Sequence, residues 1–153
     1  MMLKQGLRGM LAAGLVLLTG CGPTVDDVIG TWTYEEGSLQ TIDCGEYGVT
    51  ESDLSGETIS FSAGTTNDLV LGEGDCVPGF SFDGNEIRAT GYEGSGCTDD
   101  EGSLPDGYTT SGEVYWVYSA EGDVSKLTPT GSVSVTGNDI TCVGSYTAVL
   151  IKN

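Results

Sequence analysis

The chain has 153 residues, of which five are lysine or arginine, 23 are aspartate or glutamate and none is histidine, so its formal net charge is −18 at pH 7. A surface this acidic repels nucleic acid, anionic lipid and phosphate-bearing substrates, which excludes nucleic-acid binding. The lack of histidine excludes the usual Ser-His-Asp and Cys-His nucleophiles and imidazole metal ligands. The sequence therefore predicts a protein that is not an enzyme and has no metal site and no cofactor.

The first residues follow the order of segments found in an export signal. Lys4 and Arg8 precede an apolar run over residues 9–18, which is shorter than the about 20 residues that a membrane-spanning helix needs. Residues 18–21, Leu-Thr-Gly-Cys, close this run and resemble the lipobox of bacterial lipoproteins. The alternative is an ordinary signal peptide in which Cys21 follows the apolar run by chance.

The lipobox resemblance implies a lipid anchor on Cys21. Residues 1–20 would be removed as a signal peptide, Cys21 would carry a diacylglycerol and an acyl chain such as palmitate, and residues 21–28 would form a tether. Several acyl chains on one residue give stable anchoring, so the membrane is the first expected partner. Gly22 stands where aspartate would favour the inner membrane, so the resemblance implies the outer membrane of the bacterial cell envelope.

Four further cysteines lie beyond the predicted anchor. Cys44, Cys76, Cys97 and Cys142 are an even number in a chain predicted to be exported, which favours two disulfides. Four thiols allow three connectivities, and the spacing does not choose among them. No C-x-x-C pair occurs, so zinc and thioredoxin-like chemistry are not indicated.

Short stretches of alternating apolar and polar residues predict β-strands across residues 29–153, which we take as a single domain. Residues 43–56 and 91–111 are predicted loops, and Pro129 is predicted to interrupt a strand. The predicted strands are residues 29–34, 39–42, 57–62, 68–71, 77–82, 86–90, 113–119, 124–127, 131–136 and 140–151.

This pattern predicts an all-β fold without helices. Eight to ten short strands joined by hairpin turns indicate an antiparallel meander, because no stretch has the 3.6-residue period of an amphipathic helix. The strands would close as an up-and-down barrel or, alternatively, pack as a β-sandwich. Closure is favoured because it removes unpaired strand edges.

Acidic residues are the remaining candidates for chemistry. A pair of carboxylates can hydrolyse glycosidic bonds, but acids are so numerous here that some pairs fall together by chance. Asp99, Asp100 and Glu101 lack the alternating register of a calcium-binding EF-hand loop. We therefore interpret them as a solvated run of charge rather than a metal site.

Gly30, Thr31 and Trp32 resemble the G-x-W motif in the first strand of lipocalins and related calycin barrels, and residues 30–42 resemble the opening of an avidin. The resemblance implies a barrel in which the tryptophan closes one end and the opposite mouth admits a small apolar ligand. Alternatively, Trp32 is simply a core aromatic residue. The residues then expected to line or close the interior are Trp32, Phe61, Phe82 and Trp116.

Together these features predict a lipid-anchored envelope lipoprotein with a non-enzymatic structural or recognition role, whose protein or small-molecule partner the sequence does not identify. The second hypothesis is a calycin-like carrier of a small apolar ligand, and the third is a carboxylate-pair glycan hydrolase. A carrier of a drug-sized ligand needs an internal void of about 300 Å³ or more with an open mouth. A structural module is expected to have its barrel axis filled with side chains.

Overall fold

The computed structural model describes residues 22–98, 100 and 102–153. The predicted signal peptide, Cys21 and the acidic residues Asp99 and Glu101 lie outside these residues. The described helices are α1 (Val25–Val28) and one 3-10 turn (Gly45–Tyr47), and none of them is long and apolar enough to cross a membrane. The strands are β1 (Gly30–Tyr34), β2 (Leu39–Asp43), β3 (Val49–Asp53), β4 (Thr58–Ala63), β5 (Leu69–Leu71), β6 (Val77–Asp83), β7 (Glu86–Glu93), β8 (Thr109–Glu121), β9 (Val124–Gly137), β10 (Ile140–Thr147) and β11 (Leu150–Lys152).

Eight antiparallel strands close a barrel. Their order is β11, β1, β4, β5, β6, β7, β8 and β9, and β9 closes the circle by pairing with β11. The predicted all-β barrel is confirmed. The chain departs from a simple meander because β1 is followed in the wall by β4, whereas β2 and β3 lie outside the barrel. The described strands number eleven rather than eight to ten.

A second part of the sheet, which we call the extension, projects from the barrel. It consists of β10, β2 and β3 together with the outer ends of β8 and β9, from Thr109 to Glu113 and from Ser132 to Gly137. Its outermost strand, β3, lies within residues 43–56, which were predicted to form a loop. All five residues of β3, Val-Thr-Glu-Ser-Asp, are exposed. The strand therefore has no buried face, and its sequence shows no alternation of apolar and polar residues.

Pro129 lies inside β9, and the prediction that it interrupts a strand is wrong. The N–H of Tyr118 points away from β9, since it donates to the carbonyl oxygen of Asn85 (2.7 Å). Tyr118 is paired with Leu127, and Trp116 is paired with Pro129 two positions further along the strands. By alternation the nitrogen of Pro129 also points away from β8, into the gap where β9 changes partner from β11 to β10. No ladder hydrogen bond is therefore lost there.

Two glycines mark the place where the barrel passes into the extension. Gly112 in β8 has φ 77° and Gly131 in β9 has φ 89°, in the region that favours glycine. A Cβ atom on Gly131 would lie 2.4 Å from the carbonyl oxygen of Glu113. A Cβ atom on Gly112 would lie 2.4 Å from the carbonyl oxygen of Ser132. The two backbones approach too closely here for any side chain.

Large apolar side chains fill the barrel axis. Seven of them are at most 1 % exposed: Val28, Trp32, Phe61, Leu69, Ile87, Leu127 and Leu150. At full burial each such side chain contributes about 1.5–3 kcal/mol. The hydrophobic core is therefore in the barrel, and no such side chain belongs to β2, β3 or β10.

The predicted tether contains α1, which packs on one end of the barrel. The backbone N–H and hydroxyl of Thr24 donate to the carboxylate of Asp27 (2.7 and 2.9 Å), which caps the helical turn. Val28 is completely buried, and its carbonyl oxygen accepts a hydrogen bond from Trp32 Nε1 (2.8 Å). Lys152 Nζ donates to the carbonyl oxygen of Asp27 (2.8 Å). The helix was not predicted, because one turn is too short to show helical periodicity.

The two predicted disulfides are present, and the structure gives their connectivity. Cys44 pairs with Cys142 across 98 positions of sequence, and Cys76 pairs with Cys97 across 21. The first bond joins the end of β2 to β10 within the extension. The second joins the turn before β6 to the loop after β7, on the barrel.

Candidate functional site

The barrel mouth faces the extension and holds a cavity of about 170 Å³. This volume is below the about 300 Å³ of a typical drug-sized site, but apolar cavities of about 150 Å³ accept a benzene-sized molecule. The mouth therefore has room for a group of about that size, next to a filled barrel axis. Its lining residues are Tyr34, Phe80, Val114, Trp116, Pro129, Val133 and Tyr146.

Trp116 is the lining residue with an unusual environment. Its ring meets Phe61 and Phe80 edge to face, with centroid distances of 5.7 and 5.4 Å. Its Nε1 is buried and has no hydrogen-bond partner among the described residues. An unsatisfied buried donor costs about 1–3 kcal/mol. A ligand that brought an acceptor to this nitrogen would remove that cost.

The tyrosines at the mouth supply hydroxyl groups. Burial raises the pKa of Tyr34 to about 12, with smaller contributions from Tyr146 and Glu57 nearby. Tyr34 therefore stays neutral at physiological pH. The hydroxyl of Tyr146 accepts a hydrogen bond from Gln40 Nε2 (3.0 Å). The cavity is lined by aromatic, aliphatic and neutral polar groups, which suits an uncharged ligand.

The opposite end of the barrel is closed. Trp32 meets Tyr118 edge to face, with ring centroids 6.3 Å apart, and α1 packs beside them. An open groove of about 550 Å³ runs along the outside of this end. It is lined by Gly22, Pro23, Thr24, Asp27, Asn85, Tyr118, Ser119 and Ala120. The groove thus lies where the described chain begins, immediately after Cys21.

The four residues predicted to line or close the interior do not form one pocket. Phe61 and Trp116 are in contact, and Trp116 lines the mouth cavity. Trp32 lies at the closed end, where its indole is already hydrogen-bonded. Phe82 is half-buried and packs against the core. Sequence reasoning missed Tyr34, Phe80 and Tyr146, although each lies on a strand whose apolar alternation was recognised.

The apolar face of the barrel wall continues onto the extension. Residues paired in antiparallel register share a face and alternate along each strand. Trp116 is paired with Pro129, so Val133 and Val135 lie on the same face further along β9. Cys142 and Ile42 follow on this face, which we call the underside. A second concavity, of about 230 Å³, lies on it and includes Tyr108, Val135 and Ile140.

Carboxylates in the described part of the chain are exposed or only half-buried, Glu86 and Glu93 being the half-buried ones. The same residues contain no group of three side chains placed to hold a metal ion. Glu93 accepts six hydrogen bonds from the backbone and side chains of Thr65, Thr66 and Asn67. These bonds, above all the one from the Thr65 hydroxyl, hold the pKa of Glu93 well below its ordinary value. Glu93 thereby ties the loop between β4 and β5 to β7.

The three basic side chains of residues 22–153 lie on the barrel strands β7, β9 and β11, and each of them is engaged. Arg88 pairs with Glu86 and Glu113 and lies 3.9 Å above the ring of Tyr115. Lys126 pairs with Glu121 (2.7 Å), and Lys152 bonds to α1. By contrast, β2, β3, β10 and the β2–β3 and β9–β10 connections contain no lysine or arginine. Their acids are Asp43, Glu46, Glu51, Asp53 and Asp139.

Comparison of this chain with protein-family models, with curated proteins and with solved structures finds no match. Interpretation of the site therefore depends on its own geometry, which has three parts. The closed end carries the start of the described chain, the mouth contains a small apolar cavity, and the extension exposes an apolar underside.

Proposed function

We propose that this protein is a lipid-anchored lipoprotein of the bacterial outer membrane with a non-enzymatic structural or recognition role. The lipobox-like residues 18–21 and the following Gly22 are the basis for the anchor. The filled barrel axis supports a domain that presents a surface rather than one that encloses a large ligand. In this proposal the extension is the surface presented.

The observation that carries the proposal is the position of Gly22 relative to the extension. Gly22 lines the groove at the closed end together with Ser119 and Ala120 of β8. The far end of the extension lies about ten residues away on the same strand, at Thr109, and ten residues of strand span about 33 Å. An anchor on Cys21 would hold the closed end near the membrane and direct the mouth and the extension away from it.

The anchor and the orientation are tested separately. Cys21→Ser should abolish labelling by radioactive palmitate, and continued labelling would refute the anchor. For the orientation, a fluorophore is attached to the new cysteine of Ser119→Cys or of Tyr47→Cys. Each labelled protein is then bound to vesicles whose lipid headgroups bear a quencher. The label at position 119, at the closed end, should be quenched more strongly than the label at position 47, beside the extension. Equal quenching would refute the orientation.

A second candidate function is a carrier of a small, neutral, apolar ligand with one hydrogen-bond acceptor. Its support is that Trp116, which lines the mouth cavity, has a buried Nε1 without a hydrogen-bond partner among the described residues. The eight-stranded barrel and the calycin-like Gly30-Thr31-Trp32 motif also support it. The cavity volume limits the enclosed part of the ligand to about the size of one ring.

Native mass spectrometry of the isolated chain tests the carrier. The expected result is an extra mass on the wild-type protein that is absent from Trp116→Phe, which keeps an aromatic ring but removes the indole N–H. Tyr47→Phe, an exposed position away from the mouth, should keep the extra mass. A wild-type protein without bound mass would argue against the carrier and leave the anchor proposal intact.

A further inference from the structure

The outer edge of β3 presents unpaired backbone groups. Cys44 N donates to Gly48 O (3.0 Å), and Leu54 N donates to Ser38 O (2.9 Å), so these bonds bracket β3 on the side of β2. In an antiparallel pair, alternate residues point their N–H and C=O groups toward the partner strand. Thr50 and Ser52 therefore face β2. The N–H and C=O groups of Val49, Glu51 and Asp53 face outward, where no described residue accepts or donates.

The extension has a second edge, and that one is protected. The outer part of β8, from Thr109 to Glu113, pairs with β9 and not with β7. It contains Gly112 with φ 77°, and Arg88 holds Glu113 beside it. A glycine with positive φ interrupts the regular strand geometry that pairing at an edge needs. By contrast, β3 contains no proline, lysine or glycine.

The chemistry of the β3 edge selects a basic occupant. Val49, Glu51 and Asp53 alternate onto one face of the strand, and Val49 is 59 % exposed. A neighbouring strand would place three side chains of one face opposite Val49, Glu51 and Asp53, and basic residues at these positions would pair with the two acids. The acids of β2, β3 and β10 have no basic residue among them, so the partner must supply the positive charge.

A second copy of this chain is a poor occupant. A two-fold antiparallel pairing centred on this strand would place Glu51 directly opposite the Glu51 of the other copy. Like charges directly opposite each other in a sheet are destabilising. The acidic edge thus disfavours self-association and permits pairing with a strand of opposite charge.

We propose that β3 binds an extended basic segment of a partner protein, which adds to the extension as one more antiparallel strand. The antiparallel direction follows from the sheet, in which every observed pair is antiparallel. The Cys44–Cys142 bond holds β2 against β10 and keeps the edge in place before binding. This inference rests on the recognition role proposed above and identifies the partner of that role.

The probe is a fluorescent ten-residue peptide of alternating valine and lysine, capped at both ends, titrated with the full-length chain and followed by anisotropy. In antiparallel pairing, a lysine opposite Glu51 points its own backbone N–H at β3. Methylation of the lysine amides should therefore weaken binding at least tenfold. Methylation of the valine amides, which face solvent, should change the dissociation constant less than twofold. Equal effects of the two methylations would overturn the proposal, because charge alone would then explain binding.

Two variants of one residue separate backbone pairing from charge. Glu51→Pro removes an outward N–H that is not used inside the protein, so the fold should be kept, as circular dichroism and thermal unfolding will verify. This variant should weaken binding at least tenfold at both low and high salt. Glu51→Gln keeps the N–H, and its smaller loss should disappear at high salt. Unchanged binding by a folded Glu51→Pro variant would overturn the proposal.

Other outcomes identify a different occupant or a different failure. A concentration-dependent dimer that Glu51→Pro abolishes would make a second copy the occupant and overturn the basic-peptide proposal. Absence of peptide binding by a chain that still incorporates palmitate at Cys21 would overturn the edge proposal and leave the anchor standing. Loss of palmitate labelling by a chain that still binds the peptide would refute the anchor and leave the edge proposal standing.

Discussion

The barrel and the extension are built from the same two long strands, β8 and β9, but they are stabilised differently. In the barrel, the apolar face of these strands meets an opposite wall, and side chains such as Leu127 are completely buried. In the extension beyond the mouth cavity, the same face has no described element across it. Val135 is only half-buried there, and Ile42 is 41 % exposed.

The difference shows what each region can do. A closed barrel gains its stability from burial and has little apolar surface left to offer a partner. A single-layer sheet gains less from burial, so it depends on the Cys44–Cys142 bond and on pairing with β9. Its outer edge and its apolar underside are not covered by any described residue. The protein thus combines a densely packed barrel with an exposed, less strongly packed extension.

The largest expected effect is on the disulfide of the extension. In the chain-entropy model, a closed loop of about 100 residues stabilises by about 5 kcal/mol and one of about 20 residues by about 3 kcal/mol. Replacing Cys44 and Cys142 by serine should therefore lower the free energy of unfolding more than replacing Cys76 and Cys97. Denaturant unfolding measures both losses. Hydrogen exchange should show the amides of β2, β3 and β10 losing protection first, and uniform loss over the barrel would contradict the comparison.

Core aromatics of the barrel should matter more than exposed aromatics of the extension. Trp32→Ala leaves a cavity at the closed end and removes the hydrogen bond to Val28, so we expect a loss of about 3–5 kcal/mol. Tyr47→Ala, at a residue 67 % exposed beside β3, should change stability by less than about 0.5 kcal/mol. Urea unfolding compares the two. Similar losses would mean that the extension carries a packed core of its own.

The junction between the two regions depends on Gly131. In Gly131→Ala the new Cβ would meet the carbonyl oxygen of Glu113 at a positive φ, which should cost about 1–3 kcal/mol. Gly122→Ala is the matched control, because Gly122 has φ 62° but open space around a Cβ. Thermal unfolding should show the larger loss for Gly131. An equal loss would attribute the effect to φ alone and remove the close approach from the explanation.

The sequence predicted the barrel better than the extension, for a physical reason. Burial of one face produces alternation, so strands such as β4, with Phe61 inward, were recognised. The exposed β3 has no buried face and therefore no alternation. Whether Pro129 breaks a strand depends on which neighbour its missing N–H would face, and that is set by tertiary pairing.

The candidate site was predicted only in part. Phe61 and Trp116 were named, and they are in contact near the mouth. Tyr34, Phe80 and Tyr146 come from three other strands that are distant in sequence. Alternation shows that such residues point to one face, but it does not show at which height along the barrel they meet. The disulfide connectivity was undetermined for the same reason.

The smallest effect concerns acid sensitivity and again separates the two regions. On the barrel, Glu93 accepts six hydrogen bonds. In the extension, Asp53 accepts two hydrogen bonds from Ser55, one from its hydroxyl and one from its backbone N–H. These bonds, above all the one from the hydroxyl, lower the pKa of Asp53 as well. A carboxylate whose pKa is lowered by folding stabilises fully above its ordinary pKa, near 4.5 for Glu93, and loses this contribution as the pH falls toward the folded pKa. The urea midpoint of the wild type should therefore drop between pH 6 and pH 3. Part of that drop should be absent in Glu93→Gln, and a smaller part in Asp53→Asn. An equal reduction in the two variants would mean that the carboxylate on the barrel is held no more firmly than the one in the extension.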